Sequence, residues 1–144
     1  MGFLKDLFLS SESKKRRCHI KNLVLIAAAD GHIDKAEFDF LLHVANRLYM
    51  PVNEFTDVIR NINDTSFYPP TSDYERLDQL TDLVNMMLID GNIDDNEVFV
   101  CQSFALKLGF KPIIIQKIVD ATIHAVIHKM TRDEILRRGL TTLR

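Results

Sequence analysis

The feature that most narrows what this chain can fold into is an internal repeat. Residues 23–48, LVLIAAADGHIDKAEFDFLLHVANRL, recur sixty positions later as LVNMMLIDGNIDDNEVFVCQSFALKL at 83–108. The matches concentrate in one string, Asp-Gly-x-Ile-Asp-x-x-Glu, at Asp30–Glu37 and again at Asp90–Glu97. Recurrence at a fixed spacing marks a repeated supersecondary unit, and two copies are too few for a solenoid. Glycine and proline are scarce, five and four in 144 residues, and apolar residues return every three or four positions. This predicts helices at 3–9, 18–30, 35–49, 53–63, 73–89, 95–108, 112–129 and 132–143. The expected fold is all-α: a compact bundle of seven to eight helices built from two pseudo-repeated helix–turn–helix halves. A single domain at 18–144 is expected to follow an amphipathic, basic segment at 1–17, with DTSFYPPT at 64–71 joining the halves.

The repeated string reads first as punctuation between helices. Gly31 and Gly91 supply the left-handed residue that ends one helix. Asp34 and Asp94 then cap the next, and Glu37 and Glu97, three residues on, close capping boxes. Each cap contributes about 1 kcal/mol. Ser72 with Glu75, and Thr131 with Glu134, have the same form, and Pro112 suits a first helical turn. Asp30 and Asp90 are left over. Near a helix C-terminus the macrodipole disfavours a carboxylate by about 0.3 kcal/mol or more, which calls for a compensating hydrogen bond or a cation.

The string also matches the latter part of a calcium-binding EF-hand loop. The two leading ligand positions would then be Ile26 and Ala28, or Met86 and Leu88, none of which ligates calcium. A standard EF-hand is excluded. The candidate ligands for a weaker site are Asp90, Asp94, Asp95 and Glu97 in the second turn, with Asn92 as a neutral donor, and Asp30, Asp34 and Glu37 in the first. His32 and Lys35 make the first turn less acidic, so the second is expected to bind calcium or a similar divalent cation if either does. The expected dissociation constant is no better than about 10⁻⁴–10⁻³ M.

Used twice in an all-helical chain of this length, the Asp-Gly-x-Ile-Asp-x-x-Glu turn resembles that of the TerB-like tellurite-resistance proteins, over roughly residues 18–129. The resemblance implies a helical bundle with two pseudo-repeated halves and no enzymatic activity. It also implies membrane-associated or stress-response assemblies and a role in metal-ion sensing. The acidic turn residues that carry over are Asp30, Asp34, Glu37, Asp90, Asp94 and Glu97. Similar modules occur attached to co-chaperones, so the fold by itself does not set one function.

The net charge of −2 conceals a segregation of charge. Residues 1–21 carry six Lys/Arg against two acids, and 129–144 five against two, while the repeats between are acidic. The basic ends lack interleaved aromatics and the acidic middle repels phosphate, which argues against nucleic-acid binding. Phe3, Leu4, Leu7, Phe8 and Leu9 precede the basic run Lys14–Arg17, a combination suited to docking on anionic lipid or on a partner. Lys5 and Asp6 interrupt any secretory signal, and Asp6 spoils a myristoylation motif. Two cysteines, Cys18 and Cys101, make no disulfide framework, and Cys101 aligns with Leu41 as a core replacement. A reduced, cytoplasmic protein, in part peripheral to the inner membrane, is the expectation. Asp120, His124 and His128 share a helical stripe that could chelate zinc or nickel, although the same stripe reads as the solvated side of an amphipathic helix. No phosphate-cradling loop, nucleophile elbow or HExxH motif occurs. The expected function is a binding module acting through protein partners or self-association. The alternative is a dimerisation or adaptor domain whose acids only cap helices.

Overall fold

The structure, a computed structural model, describes residues 10–29, 31–64 and 68–144. It is all-α. Seven α-helices and two short 3-10 turns account for its regular structure, with no strand among the described residues. The helix expected at 3–9 lies outside the described residues. None of the described helices is long and apolar enough to cross a membrane. The chain divides into two compact units, with the boundary between Pro69 and Pro70 in the expected connection.

The first unit contains α1 (Ser11–Ala27), α2 (Lys35–Arg47) and α3 (Val52–Arg60), with α1 packed on both of the others. Its buried residues include Ile20, Leu23 and Val24 of α1, Leu41 and Val44 of α2, and Phe55 and Val58 of α3. Burying one such side chain stabilises the fold by about 1.5–3 kcal/mol. Phe38 of α2 sets its ring edge-on to Phe55, with centroids 5.8 Å apart.

Helix α1 begins seven residues earlier than the apolar periodicity suggests. Ser10 caps it, its hydroxyl accepting from Ser13 N–H at 3.1 Å. The extra turns carry no apolar stripe, and α3 holds them in place through charge. Arg16 donates to Glu54, with Nη2 at 2.6 Å from Oε2, and Arg17, itself buried, pairs with Asp57. The basic run is therefore not a free cationic segment. Arg16 and Arg17 are both committed to carboxylates of the same unit.

The second unit contains α4 (Asp73–Met87), α5 (Asp95–Leu108), α6 (Pro112–Ile127) and α7 (Arg132–Thr142). Helix α4 packs against the other three, α5 against α6, and α6 against α7. The central position of α4 explains why Leu77, Leu80, Leu83 and Val84 are all 1% exposed or less. Cys101 is fully buried, as is its repeat counterpart Leu41, in keeping with its reading as a core replacement.

Helix ends repeat a common device. After α2, α5 and α6 the chain turns through a left-handed residue, Tyr49, Gly109 and Lys129, at φ 59°, 108° and 56°. In each case the next amide closes the end by donating to a carbonyl five residues back. Met50 donates to Ala45, Phe110 to Ala105 and Met130 to Ala125, at 2.9, 3.2 and 3.1 Å.

Candidate functional site

The two acidic turns adopt the same local geometry. The α-helices stop at Ala27 and Met87, earlier than the expected ends at 30 and 89, and the second continues as a 3-10 turn, Leu88–Asp90. Gly31 and Gly91 both adopt φ 100°, and their amides donate to Ala28 O and Leu88 O, each at 2.9 Å. A side chain would have open space at either glycine, so the backbone conformation alone calls for the residue type.

Both expected capping boxes form. Glu37 N–H donates to Asp34 Oδ1 at 2.8 Å, and Asp34 N–H to Glu37 Oε1 at 3.2 Å. In the second turn Glu97 N–H donates to Asp94 Oδ1 and Asp94 N–H to Glu97 Oε1, at the same two distances. Ser72 and Thr131 likewise accept from the amides of Glu75 and Glu134, at 3.1 and 3.2 Å.

Of the seven acids singled out as cation ligands, the structure thus joins Asp34 to Glu37 and Asp94 to Glu97 as capping pairs. Asp95 is exposed in the first turn of α5, where the helix dipole favours a carboxylate. Asp30 lies outside the described residues, and the side chain of Asp90 is likewise outside them. Each capping carboxylate of the second turn keeps one oxygen that is not used in its box, so Asp94, Glu97 and Asp95 together offer hard oxygen donors over four residues. Among the described residues, no group of three ligand atoms close enough to hold an ion forms within either unit.

The histidine pair takes a different form from a chelate. The rings of His124 and His128 stack with centroids 4.0 Å apart, and His128 Nδ1 lies 2.8 Å from the carbonyl of His124. His128 caps α6, so one ring nitrogen is used on the helix end. Asp120 does not join them in a three-ligand cluster. A cleft of about 220 Å³ opens beside His124 between α6 and α7, walled by Ala121, Ala125, Met130 and Ile135, with Arg138 its other ionisable group. The hydroxyls of Thr122 and Thr142, also on this cleft, donate to the carbonyls of Ile118 and Arg138 in their own helices.

One charged cluster was not legible in the sequence. Arg132, at the start of α7, donates to both Asp78 and Asp82 of α4, and Asp82 is fully buried. The i, i+4 spacing of the two aspartates was the available signal, but nothing local points to a partner some fifty residues away. Removing Arg132 would take a paired guanidinium away from a buried carboxylate, a destabilising change.

Burial pushes the Cys101 thiol up to about 12, with the negative charge of Glu97 one turn away adding to the effect. It is therefore a neutral thiol at physiological pH, and a thiolate is what cysteine needs to ligate metal or attack an electrophile.

In comparison with known proteins, no family model, curated protein or solved structure matches the chain.

Proposed function

We propose that this chain is a non-enzymatic, TerB-like binding module that works in a cytoplasmic stress-response or tellurite-resistance assembly, with its second acidic turn taking up a divalent cation weakly. The observation that carries this reading is the second turn itself. Gly91 sets the reversal, Asp94 and Glu97 are held together by their capping box, and Asp95 follows in the first turn of α5, so three acids fall within four residues of one short segment. A hard ion such as calcium takes six to eight oxygens, and water would supply most of them here. The affinity is accordingly weak, in the range of about 10⁻⁴–10⁻³ M.

A second reading has an observation of its own. Each of Asp34, Glu37, Asp94 and Glu97 already accepts a backbone amide. On that basis the acids are caps, and the chain is a metal-free dimerisation or adaptor domain.

An NMR titration with calcium, magnesium and zinc separates the two. Shifts centred on residues 90–97 and removed by Asp90→Asn support the cation. Absence of localised shifts at millimolar ion leaves the adaptor reading.

A further inference from the structure

The outward stripe of α5 carries the wrong chemistry for a solvated surface. Asp95, Phe99, Gln102, Ser103 and Leu106 share one side of this helix by their three- and four-residue spacing. Phe99 is 67% exposed and Leu106 54%. A single exposed apolar residue is ordinary. Two large ones on one stripe, about 10 Å apart along the axis, are not what an amphipathic surface helix presents to water.

The first repeat supplies an internal control. At the positions sixty residues before Phe99, Ser103 and Leu106, α2 carries Asp39, His43 and Asn46, all exposed and polar; the apolar residue on that side is the half-buried Leu42, in the place of Gln102. The two helices bury matching positions: Leu41 and Cys101, Val44 and Phe104, Ala45 and Ala105. Equivalent faces are therefore turned outward, and the contrast lies in the residues chosen. Where α2 is built for water, α5 is built for contact.

Charges at the ends of the stripe point to its occupant. Asp95 opens α5 and Lys111 lies just beyond its C-terminal end; both are exposed, and neither is ion-paired among the described residues. A second copy of α5 laid antiparallel would bring the acidic end of each helix to the basic end of the other. It would also set Phe99 of each copy against Leu106 of the other, with the small Ser103 near the two-fold axis. A parallel arrangement would oppose like charges. Self-complementarity of this kind is what an isologous interface requires.

We propose that α5 is a homodimerisation surface, in which two copies of the chain pack their Phe99–Leu106 stripes antiparallel, with Asp95 of each opposite Lys111 of the other. The inference rests on the binding-module reading and names its partner. It does not need the cation, so the ion titration and the test below fail separately.

Sedimentation equilibrium of the full chain, from micromolar to millimolar concentration, is the test. The expected result is a monomer–dimer equilibrium whose dissociation constant rises at least about tenfold in F99S/L106S. Either D95K or K111D alone weakens the dimer, and the two combined restore it, because reversal at both ends recreates the complementary pairs. Thermal melts of each variant establish that the fold is kept; if F99S/L106S melts without cooperativity, the charge-reversal set carries the test. A chain that stays monomeric at millimolar concentration overturns the proposal and leaves the stripe to a different protein. So does a dimer that persists in a folded F99S/L106S variant, or a combined charge reversal no tighter than the single ones.

Discussion

Gly139 of α7 packs so closely on Leu77 of α4 that a methyl group at position 139 would lie 2.8 Å from Cδ2 and 3.0 Å from Cδ1 of the leucine. This explains a glycine inside a helix, where it costs about 1 kcal/mol relative to alanine. The approach of α7 to the central helix depends on the missing side chain.

Gly139→Ala is accordingly expected to destabilise the protein by about 1–3 kcal/mol, the helix-propensity gain notwithstanding. Leu77 is 1% exposed and has little room to move. Urea unfolding of Gly139→Ala, Leu77→Ala and the double variant checks the mechanism. The double variant should lose less than the two single losses combined, since removing the leucine side chain removes the clash. A single alanine variant as stable as the parent would show that the helices separate freely.

Substitutions at left-handed positions should act in opposite directions. Gly31→Ala and Gly91→Ala place a side chain at φ 100° and should each cost about 1–2 kcal/mol, although nothing obstructs the new methyl group. Tyr49 already bears that strain at φ 59°, with 87% of its surface exposed and so little packing to lose. Tyr49→Gly should therefore raise stability by up to about 1 kcal/mol. Calorimetric melts of the three variants suffice; a destabilised Tyr49→Gly would mean that the ring contributes packing that outweighs its backbone strain.

Asp34→Ala and Asp94→Ala should each cost about 1 kcal/mol in the presence of a chelator. The loss comes from an amide left without its acceptor, not from an ion. Chemical denaturation with and without millimolar calcium separates the two roles. A cost at Asp94 that emerges only with calcium would identify it as a ligand first and a cap second.

Cys101 predicts a specific alkaline response. Its thiol is raised from 9.0 to about 12 in the folded protein, so between those values the folded state holds a proton that the unfolded state releases. The contribution is fully present below pH 9 and is lost as pH rises toward 12. Cys101→Ala should be less stable at neutral pH because of the cavity, yet show a shallower decline of stability over that window. Parallel pH profiles of the two proteins would exclude the effect.

The parts of this molecule that were readable in advance are those whose determinants lie within a few residues of one another. The capping boxes at Asp34 and Asp94, the left-handed glycines and the cap at Thr131 each join groups three or four positions apart, so a short string contains donor, acceptor and backbone requirement together. The start of α1 was misplaced for the complementary reason. Residues 11–17 have no apolar period, and their helix is held by Arg16 and Arg17 reaching Glu54 and Asp57 of α3.

The amino-acid sequence by itself determined the all-helical class, the turn chemistry and the candidate acids, because hydrophobic period and capping are local. Only tertiary structure decided which charges would be neutralised and which apolar groups would stay in water. Asp82 is buried because Arg132 arrives from fifty residues away, and Tyr49 takes a left-handed conformation in the place where the second repeat has Gly109. Phe99 is exposed because the face that α5 buries is the one carrying Cys101, Phe104 and Ala105. These outcomes follow from how helices pack, and packing joins residues that the chain order keeps apart.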